Sequence, residues 1–156
     1  MNTSYLRKIL YAFLQIARAF LLVGLVGYPV CMLLNMKKIS LILAVNILFE
    51  FIYLFNYFNV SRYLLYIIKS CEETPFTKEN VRSFNIMGVC LFINSIFECI
   101  MGYHAGQNNS IQVFGSQSGA ITPGMVICIV ASLMCFVIGE AFDKAVKIKE
   151  ENDLTI

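Results

Sequence analysis

Residues 121–142 read ITPGMVICIVASLMCFVIGEAF, with Glu140 as their single charged residue. About 20 helical residues cover the hydrocarbon core of a bilayer, so this run predicts a membrane-spanning helix. Thr122 offers an N-cap side chain. Pro123 falls at the first helical position, where a missing N–H costs little. Cys128, Ala131, Ser132, Cys135 and Gly139 recur at helical spacing. They form a small-residue stripe of the kind that lets helices approach closely in lipid. The stripe has two readings, a face for another span or a face for a second copy of the chain.

Three further runs resemble the first in length and polarity: Ile9–Leu34, Ile39–Phe58 and Phe84–Tyr103. The chain has 156 residues, 58% hydrophobic and 14% charged, and its mean hydropathy is +0.71. Soluble domains average about 45–50% apolar and about 25% charged residues. A soluble domain this small has too much surface to hide so much apolar material. The expectation is an all-α integral membrane four-helix bundle, one domain over residues 1–156. The first run is longer than a signal h-region of about 7–15 residues, and no A-x-A site follows it, so no cleavable signal is expected.

Lysine and arginine outside the spans set the orientation. Arg7 and Lys8 precede the first span; Arg62, Lys69, Lys78 and Arg82 lie in the 59–83 connection; Lys144, Lys147 and Lys149 lie in the 143–156 tail. These nine share a side, against only Lys37 and Lys38 opposite. Both termini are therefore expected in the cytoplasm. The net charge of +2 is too small for a nucleic-acid footprint.

The 104–120 loop is uncharged and rich in Gly, Ser, Gln and Asn, which reads as flexible. Asn108-Asn109-Ser110 in it fits a glycosylation sequon. The cytoplasmic connection reads as more ordered, because no Gly or Pro occurs between Ile39 and Thr74. Arg62, Tyr66 and Lys69 share a stripe there, on a helix that either extends span two or lies in the headgroup layer. Pro75-Phe76-Thr77 then restarts the chain. Thr77 suits an N-cap, and Phe76 is placed to staple onto Val81. Past Phe142, the pairs Glu140/Lys144, Asp143/Lys147 and Lys147/Glu151 at i, i+4 favour continued helix.

Arg18, Glu50, Glu98 and Glu140 are the ionisable residues inside the apolar runs. Each costs on the order of 2.5–3.5 kcal/mol there on insertion scales. Depth suggests a partner for two of them: Arg18 is about 13 Å and Glu50 about 12 Å from the inner boundary, on neighbouring spans. Glu98 has no cation at its depth, and Glu140 is close to the inner surface. The four read either as a clasp that fixes the bundle or as a path for an ion or proton. Other chemistry is thin. His104 is the sole histidine, the six cysteines show no CxxC spacing, and no P-loop, HExxH or nucleophile elbow occurs. No cofactor, metal site or catalytic set is expected.

The C-terminus carries a more specific pattern. Gly139-Glu140-Ala141-Phe142, then Lys144-Ala145, then Lys149-Glu150-Glu151-Asn152-Asp153-Leu154-Thr155-Ile156 resembles the closing signature of a bacterial family catalogued as domain of unknown function two-nine-seven-five. Pro75-Phe76-Thr77 with Asn80 resembles its second recurrent motif, and Pro29 and Pro123-Gly124 also fit. The resemblance implies a small four-span protein of the bacterial plasma membrane with no established enzymatic activity. It further implies a cytosolic partner, a small helix-turn-helix transcription regulator. Phe76, Thr77, Asn80, Glu151, Asn152, Asp153, Leu154, Thr155 and Ile156 are the docking candidates on that reading. Leu154 and Ile156 could equally fold back as a structural cap. A transporter subunit or immunity-type protein using Arg18, Glu50 and Glu98 is the alternative.

Overall fold

The computed structural model describes residues 3–35, 41–71, 74–105, 114–116 and 119–153. The described elements run α1 (Thr3–Asn35), α2 (Leu41–Ser70), α3 (Lys78–Ala105), β1 (Phe114–Ser116), β2 (Gly119–Ile121) and α4 (Pro123–Asp153). The chain is helical, as its composition requires. Three segments, Tyr5–Met32, Lys78–Ile100 and Pro123–Asp153, are long and apolar enough to cross a membrane.

Two compact units divide the chain, residues 1–69 and 70–156. In the first, α1 runs through Pro29 without ending, for 33 residues. The helix α2 is unbroken for 30 residues. It therefore continues the second apolar run as one helix through Ser70, with no separate headgroup-layer helix. The two helices are antiparallel: Gly24 faces Leu54, and Arg18 faces Phe58. The Lys37-Lys38 turn lies outside the described residues.

The second unit is built on α3 and α4, an antiparallel pair in contact along their length. The small-residue stripe of α4 faces α3. Cys128, Ser132 and Gly139 are buried, while Ala131 and Cys135 are partly covered. Ser132 Oγ donates to the Gly88 carbonyl at 2.8 Å. A Cβ on Gly88 would stand 2.7 Å from the Phe136 ring, and one on Gly139 would stand 2.8 Å from Asn85 Oδ1. Side chains of the facing helix thus fill the space over each glycine. The stripe's partner is another span of the same chain, which leaves its middle no room for a second copy.

The opposite face of α4 is exposed and bulky: Ile127, Val130, Leu133, Met134 and Val137. Small and polar residues lie inside, including Asn80, Asn94, Ser95 and Ser132, and branched residues point outward. Lipid is as apolar as these side chains, so packing is driven by close fit and interhelical hydrogen bonds.

Part of the 104–120 loop is ordered. β1 and β2 form an antiparallel hairpin with Phe114 opposite Ile121 and Ser116 opposite Gly119. β2 packs on α3 and leads into α4 through Thr122. The composition suggested flexibility, but backbone groups beside a membrane need partners, and a strand pair supplies them. The Asn109 sequon lies outside the described residues.

Ser132 is 1% exposed, so Ser132→Leu both overpacks the contact and leaves the Gly88 carbonyl without its donor. Overpacking costs about 1–3 kcal/mol. Reversible denaturation in micelles should show a clear loss for Ser132→Leu and almost none for Val137→Leu on the exposed face. Equal effects at both positions would contradict this packing.

Candidate functional site

The α3–α4 pair has two differently built ends. At the end where α3 begins, an elbow joins it to α2. Thr74 N–H donates to the Ser70 carbonyl at 3.1 Å. Ser70 Oγ donates in turn to the Thr74 carbonyl at 3.3 Å. Thr77 is the N-cap, its Oγ1 accepting from Asn80 N–H at 3.3 Å. Asn80 is fully buried. Its Nδ2 donates to Ser70 Oγ at 2.9 Å and to the Pro75 carbonyl at 2.7 Å. One amide thus ties together the end of α2, the Pro75 corner and the first turn of α3. Its Oδ1 has no hydrogen-bond partner among the described residues.

These contacts revise the list of docking candidates. Asn80 presents nothing to a partner, because it holds the elbow from inside. Thr77 is occupied by the cap. Phe76 is exposed, and its ring lies 5.5 Å from that of Phe142 on α4. Phe142, on the facing helix, is thus a partner for Phe76 beyond the Val81 that its spacing suggests. Phe84 completes the group, 5.2 Å from Phe142. Farther along α4, Lys78 Nζ pairs with Glu150 Oε1 at 2.7 Å. The Pro75–Asn80 motif and the C-terminal motif, distant in sequence, therefore meet at one end of the pair. Glu151, Asn152 and Asp153 are exposed on the last turn of α4. Leu154, Thr155 and Ile156 lie outside the described residues, and so does the cap reading that rests on two of them.

α4 continues past Phe142 as expected. Glu140 pairs with Lys144 at 2.8 Å and Asp143 with Lys147 at 2.7 Å, both at i, i+4. Glu140 is exposed and paired with Lys144 on its own helix.

At the other end, Glu98 solves its missing-cation problem with a helix terminus. Thr122 Oγ1 donates to Glu98 Oε2 at 2.8 Å and accepts from Met125 N–H at 3.0 Å. The carboxylate lies so near the start of α4 that a Cβ on Gly124 would stand 2.8 Å from its carbon. The positive end of a helix stabilises a carboxylate by about 0.3–1 kcal/mol, and by more where it is partly buried. A side chain at Gly124 would push the Glu98 carboxylate aside.

The expected Arg18–Glu50 clasp is not formed. Arg18 lies over the Phe58 ring, 5.3 Å from its centroid. Among the described residues no ion pair joins it to Glu50. Phe58 is two turns from Glu50, about 12 Å along the helix. The depth estimate set Ile9 level with Phe58, whereas the hairpin register sets Arg18 level with Phe58. Arg18 and Glu50 lie in the first unit and Glu98 and Glu140 in the second. Among the described residues no three His, Cys, Asp or Glu side chains come together as a metal site. The groove lined by Val130, Leu133, Met134, Val137 and Ile138 is wholly apolar.

Thr122 both caps α4 and holds Glu98, so Thr122→Val removes two interactions. The cap alone is worth about 0.5–2 kcal/mol. Thr122→Val should lower the melting temperature in detergent more than Glu98→Gln does, and Thr122→Ser should restore it. A Thr122→Ser protein as unstable as Thr122→Val would refute the dual role.

Comparison with known proteins gives one match. No curated protein and no solved structure is similar to this chain. The family model described as "Protein of unknown function (DUF2975)" matches residues 26–156. That span takes in the elbow, the Glu98–Thr122 contact and the whole of α4, and the chain belongs to the DUF2975 family.

Proposed function

We propose that this protein is a multi-pass plasma-membrane regulator that binds a cytosolic helix-turn-helix transcription factor through the elbow and the last turns of α4. The reading places four spans in the membrane and both termini in the cytoplasm, on the nine-to-two asymmetry of Lys and Arg. The observation that carries it is the meeting of two distant motifs. Phe76 against Phe142 and Lys78 against Glu150 hold the Pro75–Asn80 corner beside the C-terminal helix. Phe76 is exposed at this corner, and Glu151, Asn152 and Asp153 are exposed on the last turn of α4, about 13–16 Å along the helix from Phe142. An aromatic anchor with a charged rim is a common form of binding surface. Lipid contact gives no reason for such a pairing. Binding at the membrane would lower the free regulator concentration by mass action.

The alternative, a conduit using intramembrane carboxylates, has less support. Glu98 is engaged by Thr122 and the α4 terminus, and Glu140 by Lys144.

The test is affinity capture from native membranes with the full chain, with a chain ending at Lys149 and with Phe76→Ala. The full chain should bring down a helix-turn-helix protein, and each variant at least tenfold less of it. The same partners with all three, or no such protein with any, would overturn the proposal. Glu98-dependent proton or solute flux in proteoliposomes would put the conduit in its place.

A further inference from the structure

The first unit carries a donor-rich groove that the proposed function does not use. Arg18 lies in the first apolar run, level with Phe58 at the end of the second. Its guanidinium faces the Phe58 ring and, among the described residues, no carboxylate. A cation–π contact is worth about 0.5–2 kcal/mol and leaves the positive charge in place. Tyr11 and Gln15 share Arg18's stripe at i−7 and i−3, and Gln15 Nε2 donates to Tyr11 Oη at 3.0 Å. The Tyr11 hydroxyl accepts that bond and keeps its own proton to donate. On α2, Arg62 and Lys69 continue Phe58's stripe at i+4 and i+11, and both are exposed.

The antiparallel register sets these two stripes level, from the Arg18–Phe58 contact toward the start of α1. Glu50 is the only acidic residue before Glu72 in the sequence, and it lies two turns away from Phe58 on the side away from Arg62. The groove therefore gathers cations and donors with no acid of the first unit among them, where the second apolar run gives way to a charged end.

We infer that this groove binds the headgroup of an anionic phospholipid. Its phosphodiester lies between Arg18 and Arg62, takes the Tyr11 hydroxyl proton as a hydrogen bond and draws Lys69 to its outer oxygens. The acyl chains run along the exposed apolar surface of α1. A phosphodiester supplies Arg18 with a counter-charge, through charge-assisted hydrogen bonds of a geometry suited to guanidinium. The inference is independent of the regulator reading, because it concerns a different unit and a lipid.

Native mass spectrometry of the full chain in neutral detergent tests it, with phosphatidylglycerol and phosphatidylcholine as probes. Phosphatidylglycerol should be retained at least tenfold more strongly. Each basic residue near an anionic surface is worth about fivefold in affinity, so Arg18→Gln with Arg62→Gln should weaken phosphatidylglycerol retention about 25-fold. Lys144→Gln, in the other unit, should leave it unchanged. If the double variant does not fold, a salt titration of the unaltered chain serves, and selectivity must fall as salt rises. Equal retention of the two lipids, selectivity indifferent to salt, or an equal loss with Lys144→Gln would overturn the inference. Displacement by glycerol 3-phosphate at low millimolar concentration would assign the groove to free phosphate and overturn it as well.

Discussion

The structure of the second unit depends on how closely α3 and α4 approach. In lipid no hydrophobic force draws two helices together, because the surrounding chains are as apolar as the side chains. What remains is dispersion between well-fitted surfaces and hydrogen bonds that the bilayer cannot replace. Gly88, Ser132 and Gly139 provide both, and the hydrogen bond from Ser132 to the Gly88 carbonyl fixes the rotation of each helix. With that rotation set, Phe84 and Phe142 come together at one end and Glu98 meets Thr122 at the other. The bulky residues of α4 are left facing lipid.

Both ends then use the polar groups that a helix terminus leaves open. At one, Thr122 satisfies a free N–H of α4 and turns its own proton toward Glu98. A carboxylate that would be costly in an apolar run becomes an attachment between helices. At the other, Thr77 caps α3, and buried Asn80 replaces the backbone hydrogen bonds that Pro75 interrupts. An unmade hydrogen bond at a buried group costs about 1–3 kcal/mol, so these contacts fix the path of the chain around the elbow.

Much of this was legible in the residues. Helical class, both N-caps, the packing role of the small stripe and the continuation of α4 follow from local rules of spacing and capping. What escaped the sequence was register. Arg18 and Glu50 have matching depths only if the two apolar runs end at the same level. The hairpin instead aligns Arg18 with Phe58, since α2 stays helical well beyond its apolar run. Glu98 lacked a visible partner because its counter-charge is a helix terminus, and a terminus is no residue type. Phe142 and Glu150 looked like ordinary span-end and tail residues until α3 was placed beside them. The hairpin at 114–121 was hidden by a composition that suits turns and strands alike.

The meeting of the two motifs is what turns a packed helix pair into a surface with something to bind. Bifunctional thiol cross-linking of a chain carrying Lys78→Cys and Glu150→Cys, in a Cys71→Ser background, measures it directly. A short, membrane-impermeant bis-maleimide should join the two positions within one chain in inverted vesicles, where the cytoplasmic face is outward. It should leave sealed right-side-out vesicles unmodified. No intrachain product in inverted vesicles, or the same product in right-side-out ones, would contradict the shared cytoplasmic face.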